Sequence, residues 1–136
     1  MNTEKIAFLF PYSEEGGKDK IPSPLLAFDC EEFPAELDLH AGIFFIGLVH
    51  KKPYFLELQV LRHSDEQDEA ISPKKGVWVR ANDSQGKEFD IAASVDICLR
   101  KCIFTKSGSY FLEATLFIEK EKIHSNRAYF RVSDVS

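Results

Sequence analysis

The stretch Ser107–Val132, SGSYFLEATLFIEKEKIHSNRAYFRV, has the clearest hydrophobic pattern in the chain and decides its fold class. Every second side chain of its first half is apolar: Tyr110, Leu112, Ala114, Leu116 and Ile118. Glu113 and Thr115 fall between them on the opposite face, which is the pattern of a half-buried strand. The charged run Glu119–Lys122 predicts a turn, and the returning chain is again apolar at alternate positions: Ala128, Phe130 and Val132. We therefore predict a β-hairpin that closes a β-sandwich.

Two further stretches show related patterns. Tyr54–Val60 alternates between apolar and polar side chains and predicts a half-buried strand. Leu37–His50 begins with the same alternation but is apolar at both parities over Ala41–Val49. That run predicts a strand covered on both faces, or one that changes sheets at Gly42 or Gly47. A buried helix is the competing interpretation, and the abundance of Ile, Phe and Val together with the two glycines favours the strand.

Shorter apolar segments predict the remaining strands: Ile6–Phe10, Leu25–Phe28, Val77–Val79, Phe89–Ile91 and Val95–Leu99. Ser13–Pro24 and Ser64–Gly76 are polar connections, and the turn residues of Asn82–Gly86 predict a hairpin between Val77–Val79 and Phe89–Ile91. After Arg100–Lys101 the parity of the apolar positions changes, which predicts a β-bulge that directs Cys102 and Phe104 inward. The chain is therefore predicted to be a single all-β domain over residues 1–136, an antiparallel β-sandwich of roughly seven to nine strands.

Composition limits the function classes. With 136 residues, of which 44% are hydrophobic, the chain can bury a core without a disulfide or a metal. The formal net charge of −5 argues against nucleic-acid and anionic-membrane surfaces, because both need clustered Lys and Arg. Three cysteines without a secretion signal predict free thiols in a reducing compartment, and the longest apolar run, Ala41–Val49, is too short to span a bilayer. We expect a soluble, cytoplasmic protein.

The stretch Gly108-Ser109-Tyr110, followed by an alternating strand, a charged turn and Ala128–Val132, resembles the last two strands of immunoglobulin-like and fibronectin-type-III-like sandwiches. In those folds a tyrosine at this place often anchors a corner. Taken with Leu37–Phe44, the chain also resembles a family of small bacterial proteins of unknown function with an immunoglobulin-like β-sandwich. The resemblance implies that fold and brings no activity with it. The chain departs from the pattern because it has no cysteine pair joined across the sheets around a strand-C tryptophan, and its only tryptophan is Trp78.

No motif predicts catalysis, a cofactor or a metal site. Cys98 and Cys102 lie in one predicted strand, about 13 Å apart if it is extended, which is too far for a disulfide or a shared metal without a bulge. No nucleophile signature accompanies the scattered histidines, which are His40, His50, His63 and His124. Acidic pairs such as Asp65-Glu66 lack the ligand order of a calcium loop. We predict a non-enzymatic protein without a cofactor.

Aromatic residues on the polar face of the predicted hairpin suggest a binding surface. With Tyr110 inward, alternation directs Phe111 and Phe117 outward, and it does the same for Phe55 on its own strand. Several outward aromatic side chains on one sheet face form a patch that needs a cover. The cover is either a loop or the N-terminal segment of this chain, or a protein partner. In the second case the anchors are Phe55, Phe111 and Phe117, with three polar partners on the adjoining strand: Arg127, Tyr129 and Arg131.

Three non-enzymatic functions remain open from the sequence, beside an enzyme that uses one of the four histidines in a pocket, which no motif supports. The first is a non-enzymatic protein-binding or assembly module that uses this aromatic face, either with a protein partner or by self-association through a sheet face. The second is an acidic inhibitor of the immunity-protein kind, which would capture a basic partner through the loop Asp65–Glu69. The third is a small-molecule or sugar-binding domain.

Overall fold

A computed structural model describes residues 3–12, 25–83 and 85–136, so the predicted connection Ser13–Pro24 lies outside the described residues. The described residues form nine strands and no helix, and hence no helix that could cross a membrane. The strands are β1 (Lys5–Tyr12), β2 (Ala27–Cys30), β3 (Ala35–Leu48), β4 (Tyr54–Arg62), β5 (Glu69–Ala70), β6 (Lys75–Val79), β7 (Ile91–Phe104), β8 (Gly108–Ile118) and β9 (Glu121–Asp134).

The strands form two sheets that face one another. The three-stranded sheet has the order β1-β3-β7, and the six-stranded sheet has the order β2-β9-β8-β4-β5, with β6 also paired to β4. All pairs of these strands are antiparallel except β2 and β9. The inward side chains of both sheets make one core, whose fully buried members include Leu39, Ile43, Phe45, Tyr54, Leu56, Leu58, Phe104, Tyr110 and Leu112. The predicted all-β sandwich is confirmed.

β8 and β9 form the predicted hairpin. Its turn is shorter than predicted, because it consists of Glu119 and Lys120 alone, at φ values of 48° and 70°. Two successive residues with positive φ make a turn whose twist matches that of the flanking strands. At the other end of β8, the Tyr110 hydroxyl donates to the Lys106 carbonyl at 2.6 Å. This hydrogen bond ties a fully buried tyrosine to the loop that precedes its strand.

β7 contains the predicted bulge. Its pairing with β3 shifts between Leu99 and Cys102, where Lys101 has a φ of 56° and its N–H donates to Asp38 Oδ1 at 2.9 Å. Cys102 and Phe104, beyond the bulge, are both fully buried. The predicted change of parity is therefore confirmed.

β3 does not change sheets, because it pairs with β1 and β7 of the three-stranded sheet along its whole length. Its outward Phe44 is covered from the side, since the Phe8 and Phe10 rings of β1 lie 4.5 and 5.9 Å from the Phe44 ring. Gly47, with a φ of 73°, lies where the pairing of β3 with β7 shifts. The predicted irregularity is present at Gly47, while Gly42 pairs regularly beneath the Phe10 ring.

The hairpin predicted across Asn82–Gly86 is wrong. β6 pairs with β4 in the six-stranded sheet, whereas β7 pairs with β3 in the other sheet. The chain therefore crosses between the sheets, and the crossing is held by a bridge between His50 and Ala81 and by the His50 N–H, which donates to the Glu88 carbonyl at 2.8 Å. The alternation of side chains in Val77–Val79 identifies a strand, but it does not show which other strand pairs with it.

Side chains of β9 occupy the outer edge of β1. The Ile6 N–H donates to His124 Nδ1 at 3.0 Å, and Asn126 Nδ2 donates to the Ile6 carbonyl at 3.1 Å. His124 can accept this hydrogen bond only while Nδ1 is unprotonated. Burial lowers the pKa of His124, and the positive charge of Lys5 lowers it further, so the neutral ring is favoured. The backbone of Ile6 is therefore satisfied without a further strand.

A buried carboxylate lies just before β1. Glu4 is only 5% exposed and accepts a hydrogen bond from the Tyr54 hydroxyl at 2.9 Å, with Lys52 Nζ 3.4 Å from the same oxygen. The Val49 N–H donates to that hydroxyl at 2.9 Å. Burial, together with the neighbouring Glu4 charge, raises the pKa of Tyr54 to about 12. The hydroxyl therefore remains a proton donor at neutral pH.

Candidate functional site

The outer face of the six-stranded sheet has an aromatic row at one end, formed by Trp78, Phe55 and Phe117. Phe55 lies opposite Trp78 on β6 and opposite Phe117 on β8. The Phe55 ring contacts the Trp78 ring edge to face at 5.1 Å and lies 6.4 Å from the Phe117 ring. Trp78 is 72% exposed, whereas Phe55 and Phe117 are half-buried. We call these three residues the first aromatic row.

Gly76 makes room for the first aromatic row. The Phe55 ring leans across β6 over Gly76, and a Cβ at that position would overlap the ring. A residue without a side chain is therefore needed for Phe55 to reach Trp78 in its observed orientation.

A second aromatic row lies at the opposite end of the same face. Phe111 and Tyr129 are cross-strand neighbours with ring centroids 5.5 Å apart, and the His63 ring contacts both. The Arg127 guanidinium lies 4.5 Å from the centre of the Phe111 ring. Together these neighbours cover Phe111 completely, while Tyr129 remains 50% exposed. The prediction that Phe111 is an exposed anchor is therefore wrong, although its outward direction was predicted correctly.

A polar trough separates the two rows. This depression has a volume of about 220 Å³. Its lining consists of Leu58, Phe117 and six polar residues: Glu57, Gln59, Lys74, Glu113, Thr115 and Lys122. Lys74 and Glu57, which both line the trough, form an ion pair at 3.2 Å, and Glu113 of the trough pairs with Arg127 of the second row at 2.8 Å. Lys122 is exposed and makes no ion pair with any described residue. The trough thus presents carboxylate, amide, hydroxyl and ammonium groups beside an aromatic wall.

The structure divides the predicted site residues into two groups. Phe55 and Phe117 belong to the first aromatic row, whereas Arg127 and Tyr129 belong to the second with Phe111. Arg131 is exposed on β9 beyond the second row, opposite Ser109 and beside the edge strand β2.

Sequence reasoning missed Trp78, the most exposed aromatic residue of the face. Its neighbours Val77 and Val79 point toward the core, so alternation along β6 was sufficient to direct Trp78 outward.

The acidic loop proposed for a basic partner is partly neutralised by its own chain. Glu69 Oε2 lies 2.8 Å from an Arg62 guanidinium nitrogen, and this ion pair neutralises one carboxylate of the loop. Asp68 Oδ1 lies 3.2 Å from His63 Nδ1, a contact that neutralises charge only when the ring is protonated. Asp65 and Glu66 make no ion pair with a described residue. The loop therefore presents less free negative charge than its sequence indicates.

The cysteines have the environment of structural thiols. All three are free, Cys30 and Cys102 are buried, and Cys98 is half-buried. Burial raises the pKa of Cys102 to about 11 and also raises that of Cys30, which disfavours the reactive thiolate. Among the described residues, no group of His, Cys, Asp and Glu side chains is arranged to hold a metal ion.

A separate apolar surface lies on the outer face of the three-stranded sheet. Phe8 stacks on Phe44 at 4.5 Å and is 52% exposed, and Ile46 is 46% exposed. These side chains, with Ala92 and Ser94 of β7, line a groove of about 340 Å³.

Comparison with known proteins adds no assignment. No protein-family model matches the chain, and no curated protein matches it in sequence.

Proposed function

We propose that the chain is a non-enzymatic protein-binding module whose docking surface is the first aromatic row together with the polar trough. The observation that supports this proposal is the exposure of Trp78. This residue is 72% exposed, and it lies beside two half-buried phenylalanines, Phe55 and Phe117. Tryptophan is enriched among the residues that dominate binding energy, and such residues are usually surrounded by a polar rim. The trough supplies that rim through Lys74, Glu57 and Lys122.

The test compares two aromatic truncations of similar exposure. Trp78→Ala removes the anchor, whereas Phe89→Ala removes a phenylalanine that is 65% exposed and belongs to neither aromatic row. Tagged wild-type protein and both variants are used for affinity capture from native lysate, and bound proteins are identified by mass spectrometry. We expect a stoichiometric partner with the wild type and with Phe89→Ala, and at least a tenfold loss with Trp78→Ala. Equal capture by all three chains would contradict the proposed surface.

Salt distinguishes this proposal from the acidic-inhibitor alternative. Binding through the first aromatic row is expected to survive 0.5 M NaCl, because burial of apolar surface is not screened. Binding through Asp65 and Glu66 is expected to weaken strongly at that salt concentration. The double variant Asp65→Asn/Glu66→Gln should leave capture unchanged if the aromatic row is the docking surface.

The polar trough favours sugar binding as a second candidate function. Its volume of about 220 Å³, its hydrogen-bonding groups and the Phe117 wall suit a hydroxylated ring that stacks on an aromatic side chain. A glycan array probed with the wild type and with Thr115→Val tests this function, because Thr115 lies in the trough and outside both aromatic rows. Selective binding that is lost in Thr115→Val would support it, and an array without signal would exclude it for the sugars displayed.

A further inference from the structure

We propose that two copies of the chain associate edge to edge through β7, in an antiparallel pairing with its two-fold axis at Val95. β7 pairs with β3 along one edge, and no described strand pairs with its other edge. An unpaired strand edge presents N–H and C=O groups that can bind a further strand. This edge is separate from both aromatic rows, so the proposal does not depend on the proposed function.

The side of the sandwich between β6 and β7 is apolar and incompletely closed. Ala93 and Val95 face the core from β7, and Val77 and Val79 face it from β6, yet all four are only partly buried. The residues of β3 that lie opposite Ala93 and Val95, by contrast, are fully buried. Adding a strand to β7 would remove these half-exposed apolar side chains from water, which is favourable.

Lys75 hinders strand addition at only one end of the side between β6 and β7. It occupies an inward position on β6, opposite Leu58, and its Nζ donates to the Cys98 carbonyl at 2.8 Å. An inward lysine on an edge strand hinders the addition of further strands. The same hydrogen bond shows that the Cys98 carbonyl points to the open edge. Because backbone direction alternates along a strand, the N–H groups of Ser94 and Asp96 also point there.

The sequence of β7 is complementary to itself about Val95. Facing the core, the pairs are Ile91 with Leu99, Ala93 with Ile97, and Val95 with its own copy. On the outer face they are Ala92 with Cys98 and Ser94 with Asp96. All side chains opposite one another are thus apolar or hydrogen-bonding, which favours pairing. An axis at Asp96 would instead oppose two carboxylates.

The bulge at Lys101 restricts the register further. β7 itself contains no extra residue from Ile91 to Leu99, because the other register shift of this pair, between Phe45 and Leu48, adds its residue to β3. Val95 is the central residue of this part. The axis at Val95 therefore pairs this regular part over its full length. Axes nearer the bulge shorten the regular pairing.

A proline substitution tests the backbone pairing. Ser94→Pro removes an N–H that points to the open edge, so the pairing of β7 with β3 is retained, whereas Ser94→Ala keeps the N–H and serves as the control. We expect the wild type and Ser94→Ala to show a concentration-dependent dimer in analytical ultracentrifugation, and Ser94→Pro to need at least about tenfold more protein to associate. Circular dichroism verifies that all three chains are folded.

A cysteine substitution tests the register independently of the proline. Val95→Cys places two thiols opposite each other in a pair whose Cα atoms lie about 4.5 Å apart, within reach of a disulfide. Mild oxidation with diamide should convert Val95→Cys to a covalent dimer. The wild type and Thr115→Cys, on the central strand β8, should stay uncrosslinked.

Three results would overturn the proposal. They are a wild-type chain that stays monomeric at millimolar concentration, a Val95→Cys chain that does not crosslink, and a dimer that Ser94→Pro leaves unchanged. If Ser94→Pro instead releases a different protein from a monomeric chain, the edge binds a strand of that protein and not a second copy. Trp78→Ala should leave the dimer intact, which distinguishes failure of this proposal from failure of the proposed function.

Discussion

Replacing Tyr54 with phenylalanine isolates the contribution of the buried network before β1. The Tyr54 ring is fully buried, and phenylalanine fills the same space, so the substitution removes the hydroxyl and little packing. Two interactions disappear with it. Glu4 loses a hydrogen bond of 2.9 Å, and the Val49 N–H loses its acceptor at the same distance.

The expected cost follows from the chemistry of these two bonds. A hydrogen bond to a charged group contributes about 1.5–3 kcal/mol, and leaving a partly buried N–H without a partner costs about 1 kcal/mol or more. Lys52 stays near Glu4 but is more than one-third exposed, so it offsets little of the loss. We expect Tyr54→Phe to lower the free energy of unfolding by about 3 kcal/mol.

Urea denaturation at pH 7 measures this change, with an unaltered slope showing that the unfolded state is the same. Tyr110→Phe is the matched control, because it removes the hydroxyl of another fully buried tyrosine. Its partner, the Lys106 carbonyl, belongs to an exposed residue that water can reach, so the control should cost only about 1 kcal/mol. If Tyr54→Phe costs no more than Tyr110→Phe, the network at Glu4 does not stabilise the fold as argued.

Three further predictions concern stability and the first aromatic row. Because the pKa of His124 is lower in the folded chain, the unfolded chain binds more protons, and stability should decline as the pH falls below about 6.5. Urea midpoints at pH 7.5 and 5 should therefore differ more for the wild type than for His124→Gln. Gly76→Ala should displace the Phe55 ring without unfolding the chain, and it should therefore shift the fluorescence of the only tryptophan, Trp78. An unchanged emission would contradict the contact between Phe55 and Trp78. Phe111→Ala should cost about 3 kcal/mol in urea denaturation, whereas a cost below 1 kcal/mol would show that its cover is loose.

Alternation along the chain predicted the fold class, and it also contains the signal of a bulge in the hairpin that was not predicted. The two-residue turn sets Ile118 opposite Glu121, so even-numbered residues on one arm face odd-numbered residues on the other. The inward apolar positions, however, are even-numbered on both arms of the hairpin. They can pair only if one arm contains an extra residue, and the register does shift between Leu116 and Phe117, leaving Ile123 unpaired.

Strand neighbours were less predictable than strand faces. Periodicity identifies the side of a strand that is buried, but the partner of a short strand depends on contacts far along the chain. For this reason the segment Val77–Val79 was recognised as a strand and assigned to the wrong pair. The parallel pairing of β2 with β9, which brings Ala27 opposite Arg131, was also not predicted.

The exposure of the outward aromatic residues depends on register in the same way. Phe111 and Phe117 have the same pattern in sequence, but Phe111 lies opposite Tyr129 and beneath Arg127, whereas Phe117 lies opposite Lys122, whose flexible side chain leaves it half-buried. An outward direction could be read from alternation alone. Alternation does not show whether an outward side chain is covered, because that depends on which residues lie opposite it on the neighbouring strands. For this reason Trp78, and not Phe111, is the exposed aromatic residue of the candidate site.

The two outer edges of the three-stranded sheet, at β1 and at β7, differ in how many of their backbone groups are bound by side chains. At β1, the N–H and the carbonyl of Ile6 are both bound by side chains of β9, so a further strand would have to displace two hydrogen bonds there. Along the open edge of β7, the Cys98 carbonyl is the one backbone group that a described side chain binds, and that side chain is Lys75. The residues before Cys98 combine a backbone edge that no described strand pairs with and two partly buried apolar side chains, Ala93 and Val95, a combination that makes strand addition favourable. Side chains of β9 bind the edge at Ile6, whereas no described side chain binds the edge at Ser94, and we therefore expect association on the β7 side of the molecule.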